Sequence, residues 1–170
     1  MTNIDNFPTS RKPISLDDGT RDVVLNNKYG KELGRLIFKF ADVSLFGRYE
    51  VLQKDFDGMM KQVAKLNLGN SGDASFKKDW ENLKKVENTL REKLNNFLDA
   101  DDDPFGTIFK NCNPFSSVGG RFFIEQLMEV IGGVVAEEFQ TEAKLSAERM
   151  AKHLKDIEGD ADVGSAAGEA

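Results

Sequence analysis

The chain has one cysteine, one histidine and one tryptophan in 170 residues, and each scarcity removes a class of protein. A single thiol, Cys112, cannot build an intrachain disulfide framework and fits a reducing compartment. The single imidazole, His153, lies between Lys152 and Lys155 with no Cys or carboxylate at ligand spacing. It does not make a zinc site, and nothing in the spacing supplies it as a base to activate Cys112. No apolar run approaches the ~20 residues that span a bilayer. The N-terminus, Met1-Thr-Asn-Ile-Asp-Asn-Phe-Pro8, has no basic start followed by an apolar core, so no secretory signal is expected. Cations are also in deficit, with 23 Lys and Arg against 29 Asp and Glu and a net charge of −6. Such a field repels phosphate backbones and anionic lipid, so neither nucleic acid nor membrane is an expected partner. Lys77-Lys78 and Lys84-Lys85 lie among Asp79, Glu81, Glu87 and Glu92, a mixed-charge solvated face rather than a basic patch.

Nothing points to a cofactor or a catalytic centre. Gly119-Gly120 and Gly132-Gly133 lack both the spacing and the lysine of a phosphate loop. The acidic run Asp99-Ala-Asp-Asp-Asp103 suggests a calcium loop but fails the register. Started at Asp101, it puts Phe105 at the fifth ligand position and Cys112 where a bidentate Glu is required; started at Asp99, it puts Pro104 where the turn glycine belongs. The expected role of this run is a solvated loop that ends a helix, with no metal.

What the chain does contain is phenylalanine, 13 residues against two tyrosines, and a clear change of hydrophobic period. Ile14-Ser-Leu16, Val23-Val-Leu25 and the dense run from Leu33 to Phe40 are β-prone, separated by the turn signals Asp17-Asp-Gly19 and Asn26-Asn27 with Gly30. Two or three short antiparallel strands are expected there. From Leu45 the apolar residues Tyr49, Leu52, Phe56, Met59, Val63 and Leu66 follow at steps of three and four, which predicts a helix over 43–66, capped by Asp42 or Ser44 and laid over the sheet. After the linker Leu68–Asp73, Phe76, Trp80, Leu83, Leu90, Leu94 and Phe97 predict a second helix, which Pro104 ends. A short turn is expected over 105–110, with Asn113-Pro114 offering a cap beyond it. Phe123, Leu127, Val130, Ile131 and Val134 predict a third major helix, with Gly132-Gly133 either bending it or admitting a close neighbour, and a weaker apolar face continuing to Ile157. A chain of this size can bury roughly 70% of its unfolded surface. The expected fold class is therefore α+β, mainly α, in one domain: a flexible arm over 1–12, a domain over 13–158 (β over 13–40, helical over 43–158), and a disordered acidic tail over 159–170.

Most of the phenylalanines must fill the core, but Phe115, Phe122 and Phe123 crowd around the flexible Ser116–Gly120 stretch. Adjacent residues on a helix point to different sides, so one of Phe122 and Phe123 can remain outside. Together with Leu127 these residues form the expected partner-binding patch, against the plainer reading that Phe122 packs beneath the Phe115 loop.

Two stretches carry a family resemblance. The junction Leu33–Tyr49, with Phe40, Asp42, Arg48 and Tyr49 in sequence, resembles the aromatic strand, Asp and Arg-aromatic helix of the tail assembly chaperones of long-tailed, siphophage-like bacteriophages and prophages. The run Ile108–Ser116 followed by Gly120–Ile131 is similar to the loop and C-terminal helix of the same family. The resemblance covers roughly residues 14–150; the acidic 99–103 loop departs from it. It implies a non-catalytic protein of the host bacterial cytoplasm, absent from the mature virion. Such a protein coats the helical tape measure protein and recruits major tail protein, with self-association a further expected contact, and the family often has a longer frameshifted form. A structural tail subunit, and a small helical ligand-binding or enzymatic domain, are the alternatives.

Overall fold

The computed structural model describes residues 12–66, 68 and 74–165. The expected arm, apart from Lys12, and most of the 68–73 linker lie outside the described residues. Eight elements follow in order: β1 (Thr20–Asn26), β2 (Glu32–Lys39), α1 (Ser44–Ala64), α2 (Ala74–Leu98), α3 (Pro104–Asn111), β3 (Ser117–Val118), β4 (Arg121–Phe122) and α4 (Phe123–Ser165). The architecture is α+β and mainly α, with a small N-terminal antiparallel sheet against helices, as the sequence predicts.

β1 and β2 pair antiparallel with Val23 opposite Leu36 and Leu25 opposite Gly34. Gly34, Leu36 and Phe38 point inward while Arg35, Ile37 and Lys39 face solvent, the period of two that a half-buried strand requires. Asp17 and Asp18 accept the Gly19 and Thr20 backbone N–H groups, which makes the turn read from Asp17-Asp-Gly19 an entry to β1 rather than a link between two strands. Of the two or three strands expected, two form: the β-prone Ile14–Leu16 run stays outside the sheet, with both apolar residues exposed. With so little of either side chain covered by the described residues, burial there does not offset the ordering entropy.

The inner face of β2 packs on α3 and on the C-terminal half of α2, while α1 lies chiefly along α2. This corrects the expectation that the helix over 43–66 covers the sheet. The cover is supplied instead by the segment expected to be a turn over 105–110, which is the helix α3. Its start is set by Asp103, whose carboxylate accepts from the Gly106 N–H at 3.0 Å, and by Pro104 in the first turn; this is an N-cap followed by a residue whose missing N–H costs nothing there. Phe105 and Ile108 are fully buried and Phe109 nearly so. α3 approaches β2 closely enough that a β-carbon on Gly34 would stand 2.5 Å from Ile108 Cγ1.

α2 ends in a paired-carbonyl motif, with Asp99 in the left-handed region (φ 51°), its N–H bonded to Asn96 O and the Ala100 N–H to Asn95 O. This hydrogen-bond pattern satisfies the last carbonyls of a helix without a glycine. The Asn113-Pro114 turn and the two-residue hairpin β3–β4, which the hydrophobic pattern does not reveal, set the start of α4. Phe123 N–H donates to Ser116 O, Ile124 N–H to Pro114 O, and Glu125 reaches back to the Phe122 N–H at 2.7 Å. That start places Ile124, Leu127, Met128, Ile131 and Val135 in the core and leaves Val130 43% exposed, a rotation of the stripe predicted from Phe123, Val130 and Val134. α4 also passes its expected end near Ile157 and runs to Ser165. Residues 159–165 of the expected disordered tail are thus helical, and 166–170 lie outside the described residues. Extending an existing helix needs no new nucleus, and no proline interrupts it.

Gly34→Ala is expected to destabilise the fold by about 1–3 kcal/mol through overpacking against Ile108. In a urea-denaturation double-mutant cycle, Gly34→Ala in an Ile108→Ala background should cost less than it does alone.

Candidate partner-binding groove

The candidate site is an apolar groove of ≈ 840 Å³ where the end of α1, the start of α2 and the β3–β4 hairpin converge. Its walls include Met60 and Val63 from α1, Trp80 and Leu83 from α2, and Phe115 and Phe122. Phe115 and Phe122 meet edge to face, ring centroids 5.8 Å apart at 88°, an arrangement that suits the ring quadrupoles. Asn113 holds Phe115 in place by accepting its backbone N–H, and donates weakly to Glu87 on α2. Trp80 is 44% exposed and makes an edge contact with Phe76 one turn earlier. The helix ends supply rigid walls while the rings keep part of their surface in water.

The structure divides the four residues predicted to bind a partner. Phe115 and Phe122 line the groove. Phe123 is half-buried against the core. Leu127 is 3% exposed inside it and is not available as a surface anchor. Phe122 packs against Phe115, as the plainer reading expects, and also lines the groove. Trp80 was missed because its helical spacing assigns it to a core stripe, and Met60 because it lies outside the stripe that runs through Met59 and Val63. The signal that Trp80 differs is its place in the first turns of α2, next to a linker of small residues, where the bundle has little depth.

A second groove, ≈ 1050 Å³, runs between α1 and α4. The Tyr49 hydroxyl accepts from Gln53 at 3.0 Å, and a β-carbon on Gly132 would stand 2.6 Å from it; the close neighbour admitted by the glycine pair is this hydroxyl. Burial pushes the Tyr49 phenol up from its ordinary value. Phe46 and Phe139 close one end, edge to face at 5.5 Å.

Cys112 is half-buried in a loop, and burial pushes its thiol up, away from the thiolate a nucleophile needs. His153 is exposed on α4. Among the described residues no cluster of three or more His, Cys, Asp or Glu could hold a metal ion, and no helix is long and apolar enough to cross a membrane. In the acidic loop, Asp103 accepts from Asn95 and Gly106 and lies 3.8 Å from Arg91, while Asp99 faces Lys39 at 3.7 Å. Both end carboxylates are thus engaged by the protein's own groups.

Among the described residues Asp42 is the acid most strongly perturbed by its surroundings. Its carboxylate accepts from the Ser44 hydroxyl and backbone N–H and from Arg48 at 2.8 Å, and these hydrogen bonds hold its pKa at about 2. The helix is therefore begun by Asp42, two residues ahead of Ser44, while Val43 at the cap position contributes no side-chain bond. No protein-family model matches the chain, and no curated protein or solved structure matches it.

A folded-state pKa below the ordinary 3.8 means that the contribution of Asp42 to stability is complete above that value and is lost as pH falls toward about 2. Asp42→Asn is expected to flatten this part of the acid-unfolding profile, followed by circular dichroism from pH 5 to pH 2.

Proposed function

We propose that the protein is a non-catalytic tail assembly chaperone of a siphophage-like bacteriophage or prophage, acting in the host cytoplasm and absent from the finished particle. It holds helical segments of a tape measure protein in soluble form and brings major tail protein to them. The observation that carries this reading is the groove containing Phe115, Phe122 and Trp80, two of whose rings come from the segment that bears the family resemblance. A long amphipathic chain aggregates while its own assembly is incomplete. A rigid apolar groove on an acidic carrier can shield one face of such a helix, in the helix-in-groove mode, and the net charge of −6 keeps the complex dispersed.

Co-expression with tape measure fragments and pull-down tests the reading. Trp80→Ala and Phe122→Ala are each expected to weaken capture by about 2 kcal/mol or more, the usual cost of losing an aromatic anchor. Leu145→Ala, on the far arm of α4, should leave capture unchanged. Full capture by both groove variants, with folding intact, shows that the groove is not the site. Finding the chain as a stoichiometric component of purified particles would favour a structural tail subunit instead.

A further inference from the structure

Beyond Phe139, whose ring meets Phe46, no described element covers α4. From Phe139 through Gly159 every residue is exposed, among them Met150 (62%), Leu154 (58%) and Ile157 (53%). From Phe139 to the end of the helix at Ser165 the arm is ~40 Å long at the rise of an α-helix. A free helix of this kind is marginal in water, and most helices in proteins are stabilised by packing an amphipathic face.

The face available has a definite period. Ala143, Ala147, Met150, Leu154 and Ile157 follow at steps of four, three, four and three, which is the seam of a two-stranded coiled coil and not the broader stripe of a core helix. We infer that this seam is an interface with a second copy of the chain, the two arms packed antiparallel about a two-fold axis near Ala151. Self-complementarity selects this occupant. Setting Leu154 of one copy opposite Met150 of the other places Ala147 opposite Ile157, and the two-fold repeats both pairings. Large side chains thereby meet small or flexible ones in these four layers, as an isologous contact requires. The same register sets Lys144 of one copy beside Glu158 of the other, twice, on the flank of the seam, so the charges agree with the apolar pairing. A parallel arrangement would stack Ala147 on Ala147 and leave Lys144 beside no acid on that flank. The antiparallel register also carries the end of each arm to the level of Phe139 on its partner, at the mouth of the α1–α4 groove. This interface is independent of the chaperone reading and uses none of the residues of the Trp80 groove.

Sedimentation equilibrium of the full chain tests it. A concentration-dependent species of twice the 19.0 kDa chain mass is expected. Leu154→Glu should raise the dissociation constant ~100-fold or more by burying unpaired charge. Lys144→Glu should raise it several-fold, roughly 5-fold for two like-charge contacts, and Lys144→Glu with Glu158→Lys should restore it. In a Cys112→Ser background, Ala151→Cys should form an intermolecular disulfide under mild oxidation. A monomer at all concentrations up to ~100 μM, where a dimer of ordinary strength is populated, overturns the inference and leaves the seam to a different amphipathic helix. A dimer indifferent to Leu154→Glu, or one that the charge swap fails to rescue, overturns the interface or its orientation.

Discussion

Arg48 joins three parts of the chain through hydrogen bonds. Its Nη1 donates to Asp42 at the corner between β2 and α1 and to the Ser44 hydroxyl, and its Nε donates to Phe97 O at the end of α2, 3.0 Å away. A guanidinium suits this task because its donors are fixed in one plane and it remains charged, where a lysine could satisfy fewer acceptors in a set geometry. The placement is favourable twice, since a cation near the last carbonyls of α2 opposes the negative end of that helix and the carboxylate of Asp42 sits at the positive end of α1. Nη2 is buried without a hydrogen-bond partner, a cost that the other contacts of the side chain must exceed.

Around that joint the aromatic core closes. Phe38 from β2 stacks on Phe40 at 5.6 Å and meets Phe97 edge to face at 6.2 Å, and Tyr49, one residue after Arg48, leans on the other side of Phe97 at 5.8 Å. The Arg48–Phe97 hydrogen bond and the Tyr49–Phe97 ring contact thus fix the same turn of α2 from two directions. With that turn held, the left-handed Asp99 and the Lys39 ammonium, which donates to Asp99 O, direct the chain back over the sheet so that α3 can cover it. The groove of Trp80, Phe115 and Phe122 lies at the other end of α1 and α2. Its shape depends on how these two helices are held together, and the ion pair of Asp55 with Lys93 at 2.9 Å ties them between the two ends.

The arm of α4 follows different physics from the body. Up to Val135 its side chains fill the interior and Phe139 still meets Phe46; from Gln140 through Gly159 every residue is exposed. A helix can persist across this boundary because continuation needs no nucleation, yet Met150, Leu154 and Ile157 beyond it remain exposed. The molecule therefore offers two apolar surfaces of different character: a concave groove rimmed by rings on the body, and a narrow straight seam on the arm.

The local periods of this protein are plain in its sequence. The alternation of Leu36, Phe38 and Phe40 and the three-and-four spacing of Leu45, Leu52, Met59 and Val63 fix the strand, the helix and their buried faces through the backbone repeat alone, and Asp42 beside Ser44 marks the boundary between them. The missing third strand, the α3 helix and the rotated stripe of α4 lay beyond that reading, because each depends on a partner distant in the chain. Ile14 and Leu16 lack a neighbour to pair with. Phe105 and Ile108 become a helix because Asp103 caps them and the inner face of β2 needs cover. Val130 turns outward because Pro114 and Ser116 hold the first N–H groups of α4. Of the expected patch, the positions of Phe115 and Phe122 were legible from their crowding near a glycine-rich turn, whereas the burial of Leu127 and the exposure of Trp80 were not. Sequence spacing places a residue on one side of its own helix. Whether that side meets the core, a groove or water is decided only by the elements packed against it.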